Sequence, residues 1–306
     1  MYMQNEYEQP FLDLILSALR SPGLLSPNHF NLARYSLNEQ TRNRLLDPDI
    51  SALEDYLIDN CGLPDSAFNT EMIAAFGDAA HAVCRSPEVS VRLSYQNFSW
   101  LLAWLNQHHP PAFFGEDSDS PLQVLQMAAA LGFGEWAAAF GQIENGIDIL
   151  LELARSPLER VRQAAVEGIR RLICQSWPSA LRRLHLRLTQ AGILEWRAVV
   201  MAVSDPEALA GDEDRILTAF EVQQQALRYL CARPESAQEA ARPLYDALSY
   251  APAKVAVMLP RLGLAQLAAW AAWSNPICRE VVRANLDKLP ETLDGADQVR
   301  LLLDRP

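Results

Sequence analysis

The sequence predicts an all-α protein, an α-solenoid of stacked antiparallel helical hairpins with about fifteen helices, and three observations predict it. The chain is poor in glycine, 13 of 306 residues, and rich in Ala, Leu, Gln, Glu and Arg, without the alternating Val, Ile and Thr runs of half-buried strands. Its 19 prolines mostly follow Ser, Asp, Asn or Arg at the head of an apolar-periodic run, so they open short helices rather than break long ones. A Ser-Pro opening recurs at Ser86-Pro87, Ser120-Pro121 and Ser156-Pro157, at separations of 34 and 36 residues, and a period of that size marks a helical repeat array.

Each element has its own signal. Phe11 to Arg20 forms a short helix ended by Ser21-Pro22-Gly23. A second helix is expected over Phe30–Leu46, and Pro48 opens a third through Leu53, Tyr56 and Leu57, with Gly62 placed just past its end. Phe68 to Cys84 supplies a fourth, and after Ser86-Pro87 a long helix carries Phe98, Leu101, Leu102 and Leu105. Residues 108–119 lack helical period and read as an exposed loop between repeats, its His108-His109 pair being loop residues and its Phe113 and Phe114 either folded onto the core or offered to a partner. Two helices are expected next, Pro121–Leu131 and Gly134–Phe140, followed by Ile147–Ala154. The clearest helix of all is Ser156–Ile173: Ser156 can cap the free amides, Pro157 takes the first position, and Leu158, Val161, Ala165, Ile169 and Leu172 form one stripe opposite charge. Trp177-Pro178-Ser179 starts a further helix with Leu181, Leu184 and Leu188 on one side. Ile193–Val203, Arg215–Cys231, Pro234–Tyr250, Leu264–Trp273, a run from Asn275-Pro276 to near Leu289, and a short piece with Val299, Leu301 and Leu302 complete the chain.

The run S-P-L-E-R-V-R-Q-A-A-V-E-G-I-R-R-L at Ser156–Leu172 resembles the second helix of a HEAT-type repeat, with Ile147–Ala154 as the first helix of that hairpin. Ser86 to Arg92 matches in the same register, Val91 and Val161 standing four residues beyond their prolines and Arg92 and Arg162 five. Ser120-Pro121 keeps the turn with Leu125-Gln126 in place of Val-Arg, and Val282-Arg283 follows Asn275-Pro276 two residues late. The resemblance implies an array over residues 86–306, with 1–85 as a helical cap or divergent repeats, and makes Arg162 a packing arginine. It implies little about function, because the matched residues are packing and turn residues.

The net charge of −12 is divided unevenly. Residues 1–152 hold 20 acidic and 6 basic side chains, a net of −14, while 153–306 hold 18 and 20, a net of +2. Between Arg155 and Arg197, nine arginines face three glutamates. Arg160, Arg170, Arg171, Arg182, Arg183 and Arg187 are therefore the candidate site, a basic patch for an acidic segment of another protein, a phosphate-bearing ligand or nucleic acid. The opposing reading is an ordinary solvated surface, since Glu159 with Arg162 and Glu167 with Arg171 stand three and four residues apart.

No Gly-rich phosphate loop, GxSxG elbow, HExxH or CxxC pair occurs, so no catalytic residue and no cofactor is assigned. His81 and Cys84 share a helix face, but without a second pair they make no zinc site, and the five scattered cysteines read as small buried hydrophobes of a reducing compartment. The tryptophan pairs Trp100 with Trp104 and Trp270 with Trp273 read as core. The expectation is a non-catalytic, cytoplasmic scaffold or adaptor that binds another protein along its extended or concave face. The acidic, polar N-terminus gives no secretory signal, and no apolar stretch reaches the ~18 residues of a membrane span. The alternative is a nucleic-acid-acting protein of the HEAT-like alkylpurine DNA glycosylase kind, using the basic patch with Trp196-Arg197 and Asp205. The overall acidity argues against it, because phosphate binding needs broad positive charge. A third reading, from the phycobilisome-lyase type of HEAT repeat, is a chaperone-like or lyase-accessory role. The oligomeric state stays open, and the charge division admits a salt-sensitive head-to-tail association of two copies.

Overall fold

Helices of this length are marginal alone and hold through the apolar faces they bury. The computed structural model describes residues 6–20, 48–63, 67–107, 120–233, 239–290, 293 and 295–303. Among them every regular element is helical, as the composition predicts, and no helix is long and apolar enough to cross a membrane. The helix expected over 30–46 and the loop over 108–119, with its histidine and phenylalanine pairs, lie outside the described residues. The chain divides into two units, Met1–Ala180 and Leu181–Pro306. Helices on either side of residue 85 pack together within the first unit.

In the first unit, α1 (Glu8–Arg20) buries Phe11, Ile15, Ala18 and Leu19. α2 (Pro48–Asn60) is followed by Gly62 at φ +80°, the left-handed residue that the sequence signals. α3 (Thr70–Arg85) is capped by Asn69, whose Oδ1 accepts from the Met72 amide at 3.0 Å. α4 (Phe98–Asn106) continues from a π-helical turn over Arg92–Asn97. Asn97, buried in that turn, donates from Nδ2 to the Leu19 carbonyl at 2.7 Å and so satisfies a carbonyl at the end of α1.

α5 (Gln123–Ala139), α6 (Ile143–Leu153) and α7 (Glu159–Leu188) follow. α3 lies between α1 and α5, and α5 is flanked by α4 and α6. α7 meets α5 backbone to backbone: a Cβ on Gly134 would stand 2.3 Å from the Gly168 carbonyl oxygen, and one on Gly168 would stand 2.4 Å from that of Ala130. The glycines of α5 therefore do not divide two helices, as the sequence suggests. They sit in one continuous helix, buried on nearly every side, and let its neighbour approach. Gly134→Ala is expected to lower the melting temperature of this unit, because overpacking against a carbonyl that cannot rotate away costs about 3 kcal/mol or more, against roughly 1 kcal/mol gained in helix propensity; a thermal melt by circular dichroism checks it.

Two of the three Ser-Pro corners, those at Ser86 and Ser156, keep a common local geometry, while at Ser120 the backbone amide and side chain of Gln123 donate to the Ser120 carbonyl. Ser86 Oγ accepts from the Glu88 amide and Ser156 Oγ from the Leu158 amide, each at 3.2 Å. Both prolines lie in the turn ahead of the helix rather than at its first position. Arg162 holds the second corner: Nη1 donates to the carbonyls of Ser156 and Pro157 at 2.6 and 2.7 Å, while Nη2 reaches Glu159 at 2.6 Å. The register match does not extend to burial, since Val161 is 0% exposed and Val91 73%. The wider winding of the π-helical turn sets Val91 apart from the stripe that begins at Ser94 and Asn97. α7 is interrupted at Ser176 (φ −138°, ψ 39°), two residues before Pro178, whose ring and missing amide break the hydrogen-bond ladder where the sequence expects a new start.

In the second unit, α8 (Ile193–Val203) opens with the Gly192 amide donating to Glu195 Oε2 at 3.0 Å. α9 (Pro206–Leu209) and α10 (Glu213–Cys231) are capped by Asp205 and Asp212. A 3₁₀ turn, Glu239–Ala241, leads into α11 (Arg242–Leu248), then α12 (Ala251–Met258), α13 (Pro260–Ala271), α14 (Pro276–Leu286) and α15 (Ala296–Leu303). α10 packs against α8, α11, α12 and α14, and α13 against α12, α14 and α15. The sequence did not foresee α12 and began α13 at Leu264. Pro252 and Pro260 occupy first turns, where a missing amide costs nothing, so two proline-rich stretches are helical after all.

Candidate functional site: a carboxylate buried among three helices

Glu135 sits in the middle of α5, within the Ala-rich run, and is only 3% exposed. A carboxylate taken out of water needs charged or hydrogen-bonding partners on both oxygens. Three side chains from two other helices supply them. Arg171 Nη1 donates to Oε1 at 3.1 Å, and Gln175 Nε2 to Oε2 at 2.8 Å, both from α7. From α3, His81 Nδ1 lies 2.7 Å from Oε2. An ionised carboxylate only accepts, so Nδ1 carries the hydrogen of this bond.

Arg171 is the hub. It is 12% exposed and also bonds Glu167 at 2.9 Å and Asp78 at 3.0 Å. The three carboxylates around it raise its pKa further, against the effect of burial. Its guanidinium lies across α3 at Gly77, where an added Cβ would come within 2.7 Å of Cζ. Arg85 reaches the side-chain oxygen of Gln175, which closes the ring of contacts between α3 and α7. Asp78, His81 and Arg85 share one face of α3 by helical spacing, and Glu167, Arg171 and Gln175 share one face of α7.

The cluster lies beside a thiol, so that the residue types of a thiol–imidazole–carboxylate site are neighbours here. Cys84 stands one turn beyond His81, but burial, reinforced by Glu135, pushes its thiol up to about 12. A thiol held neutral is a poor nucleophile. What the cluster does is fasten α3, α5 and α7 together. Among the described residues no group of His, Cys, Asp and Glu side chains is placed to hold a metal ion.

The six predicted arginines fall in both units. Arg160 lies over the Phe68 ring, 5.6 Å from its centre. Arg170 grips Glu167 with two bonds of 2.6 and 2.5 Å, and Arg171 serves the buried cluster, so these two charges are engaged within the molecule. Arg182, Arg183 and Arg187 belong to the second unit, where Arg182 and Arg187 are exposed and Arg183 half-buried. Of the residues named for a glycosylase-like site, Trp196 is buried against Tyr229 with ring centres 5.6 Å apart, and Asp205 caps α9 by accepting from the Glu207 amide at 3.0 Å. Of the four tryptophans expected in the core, Trp270 is fully buried, whereas Trp100, Trp104 and Trp273 are only half-buried. Glu135 does not stand out in the sequence, because one acidic residue in an apolar run looks like an interruption.

No protein-family model matches the chain, and no curated protein matches it either.

Proposed function

We propose that this chain is a HEAT-like helical-repeat scaffold that binds an acidic, amphipathic segment of another protein and performs no chemistry of its own. Support for the repeat reading comes from the first unit. There α1, α3, α5 and α7 follow one another side by side, α4 and α6 flank α5, and the corners at Ser86 and Ser156 share a hydroxyl-to-amide bond.

The observation that carries the binding reading is an outward stripe on α7 beyond its break. Arg182 and Arg187 are exposed and flank Leu186, which is 60% exposed. A large apolar side chain left in water between two cations suits an apolar anchor edged by carboxylates. Such rim charges act mainly on association rate and on salt dependence.

Fluorescence anisotropy with a labelled Leu- and Glu-rich helical peptide tests this. Binding is expected to weaken with added salt, and to fall at least about tenfold when Arg182→Glu and Arg187→Glu are combined, or in Leu186→Ser. Equal binding by all variants would remove the stripe as a site, and preferential binding of duplex DNA would move the reading to nucleic acid.

A further inference from the structure

The five cysteines are far apart in sequence, yet two of them meet in the second unit. Cys231 is the last residue of α10 and Cys278 the third of α14. Their thiols are close enough for each to shift the other's ionisation, the side chain and backbone N–H of Cys278 both acting on the Cys231 sulfur. Asn275 fixes the meeting point. Its Oδ1 accepts from the amides of Ile277 and Cys278 at 2.9 and 3.3 Å, while its Nδ2 donates to the Cys231 carbonyl at 3.4 Å. Cys278 is 0% exposed, with Sγ 3.3 Å from the Trp270 carbonyl oxygen, and Cys231 is half-buried. Cys231 is thus the more accessible residue of the two.

We propose that Cys231 and Cys278 are a redox-active thiol pair, closed to a disulfide by hydroperoxides and reopened by thiol reductants. The chemical asymmetry follows from the surroundings. Hydrogen bonds from Cys278 at a helix N-terminus hold the Cys231 thiol below its ordinary range, and its neighbour together with burial pushes the Cys278 thiol up.

Cys231 thiolate attacks one oxygen of hydrogen peroxide. The S–O bond forms, the O–O bond breaks, and the departing hydroxide takes up a proton. The sulfur of Cys278 then displaces hydroxide from the resulting sulfenic acid: the S–S bond forms, the S–O bond breaks, and the thiol proton leaves with hydroxide as water. Two thiols surrender two electrons, and one peroxide becomes two waters. The bond would pin the end of α10 to the start of α14.

The test is peptide mapping of the full-length protein after one equivalent of hydrogen peroxide, followed by alkylation in denaturant. The expected product is a single linked pair of peptides containing Cys231 and Cys278, lighter by two hydrogens and released by dithiothreitol, with Cys61, Cys84 and Cys174 still alkylated. In Cys278→Ser, Cys231 is expected to stop at a sulfenic acid that dimedone traps; in Cys231→Ser, Cys278 stays reduced. In the unoxidised protein at pH 8, Cys231 should alkylate at least about tenfold faster than Cys84, whose thiol is held neutral. Absence of the linked peptide with either thiol alkylated, or preferential oxidation of another cysteine, would overturn the assignment.

Discussion

Glu135→Ala is expected to destabilise the first unit by about 3 kcal/mol, the lower end of the range for removing one partner of a buried ion pair. The low end applies because Arg171 keeps Glu167 and Asp78. His81 and Gln175 lose the acceptor they share, and three helices lose a common tie. At this size the loss corresponds to a fall of roughly 6–12 °C in the transition of that unit. Glu135→Gln keeps the shape and one acceptor oxygen, so it should recover part of the loss, while its amide group faces donors that it cannot satisfy. Thermal melts of the two variants beside the parent protein decide the point. A Glu135→Ala protein melting with the parent would mean that packing at Gly134 and Gly168 holds these helices without help from the charges.

The second unit has its own buried tie in Asn285, which is 0% exposed and fully used. Its Oδ1 accepts from the Ala253 amide at 2.8 Å, and its Nδ2 donates to the carbonyls of Leu248 and Val281 at 2.7 Å each. Leu248 ends α11 and Ala253 lies in the first turn of α12, so one side chain on α14 satisfies an orphan carbonyl and an orphan amide at the corner between two helices. Asn285→Ala leaves both buried without partners, at a cost of about 1–3 kcal/mol each. Asn285→Asp is expected to be at least as harmful at neutral pH, because it places carboxylate oxygen against two carbonyls and removes both donors. Urea unfolding of the two variants measures this; midpoints equal to the parent would show that water replaces the amide at no cost.

Local signals in this chain were read well where the chemistry is local. Asn69, Asp205 and Asp212 cap helices, though the sequence suggests a start at Phe68, a plain connection after Asp205 and a start at Arg215. Asn275 caps the helix expected to open there, because a short side-chain oxygen beside free amides acts within three residues. The break near Trp177-Pro178 and the left-handed Gly62 are of the same kind. Errors appeared where a residue answers to a neighbour distant in sequence. Gly134 looks like the start of a second helix and is a contact with Gly168; the helices begun by Pro252 and Pro260 are absent from the sequence expectation, which starts the next helix at Leu264; Val91 matches Val161 in register but not in burial.

The same division governs the candidate sites. Counting charges brought six arginines together as one patch, but a count of charge along the chain does not say which carboxylate each guanidinium will meet. Arg170 and Arg171 are taken up by Glu167, Glu135 and Asp78; Arg182 and Arg187 are exposed.

By itself, the sequence determined that the chain is helical, where most helices start, and which faces are apolar, since propensity, capping and period act over one or two turns. Tertiary structure alone decided that Glu135 lies among His81, Arg171 and Gln175, and that Cys231 lies against Cys278. Those meetings depend on how closely helices approach, and that distance is set by side-chain volumes on elements many tens of residues apart.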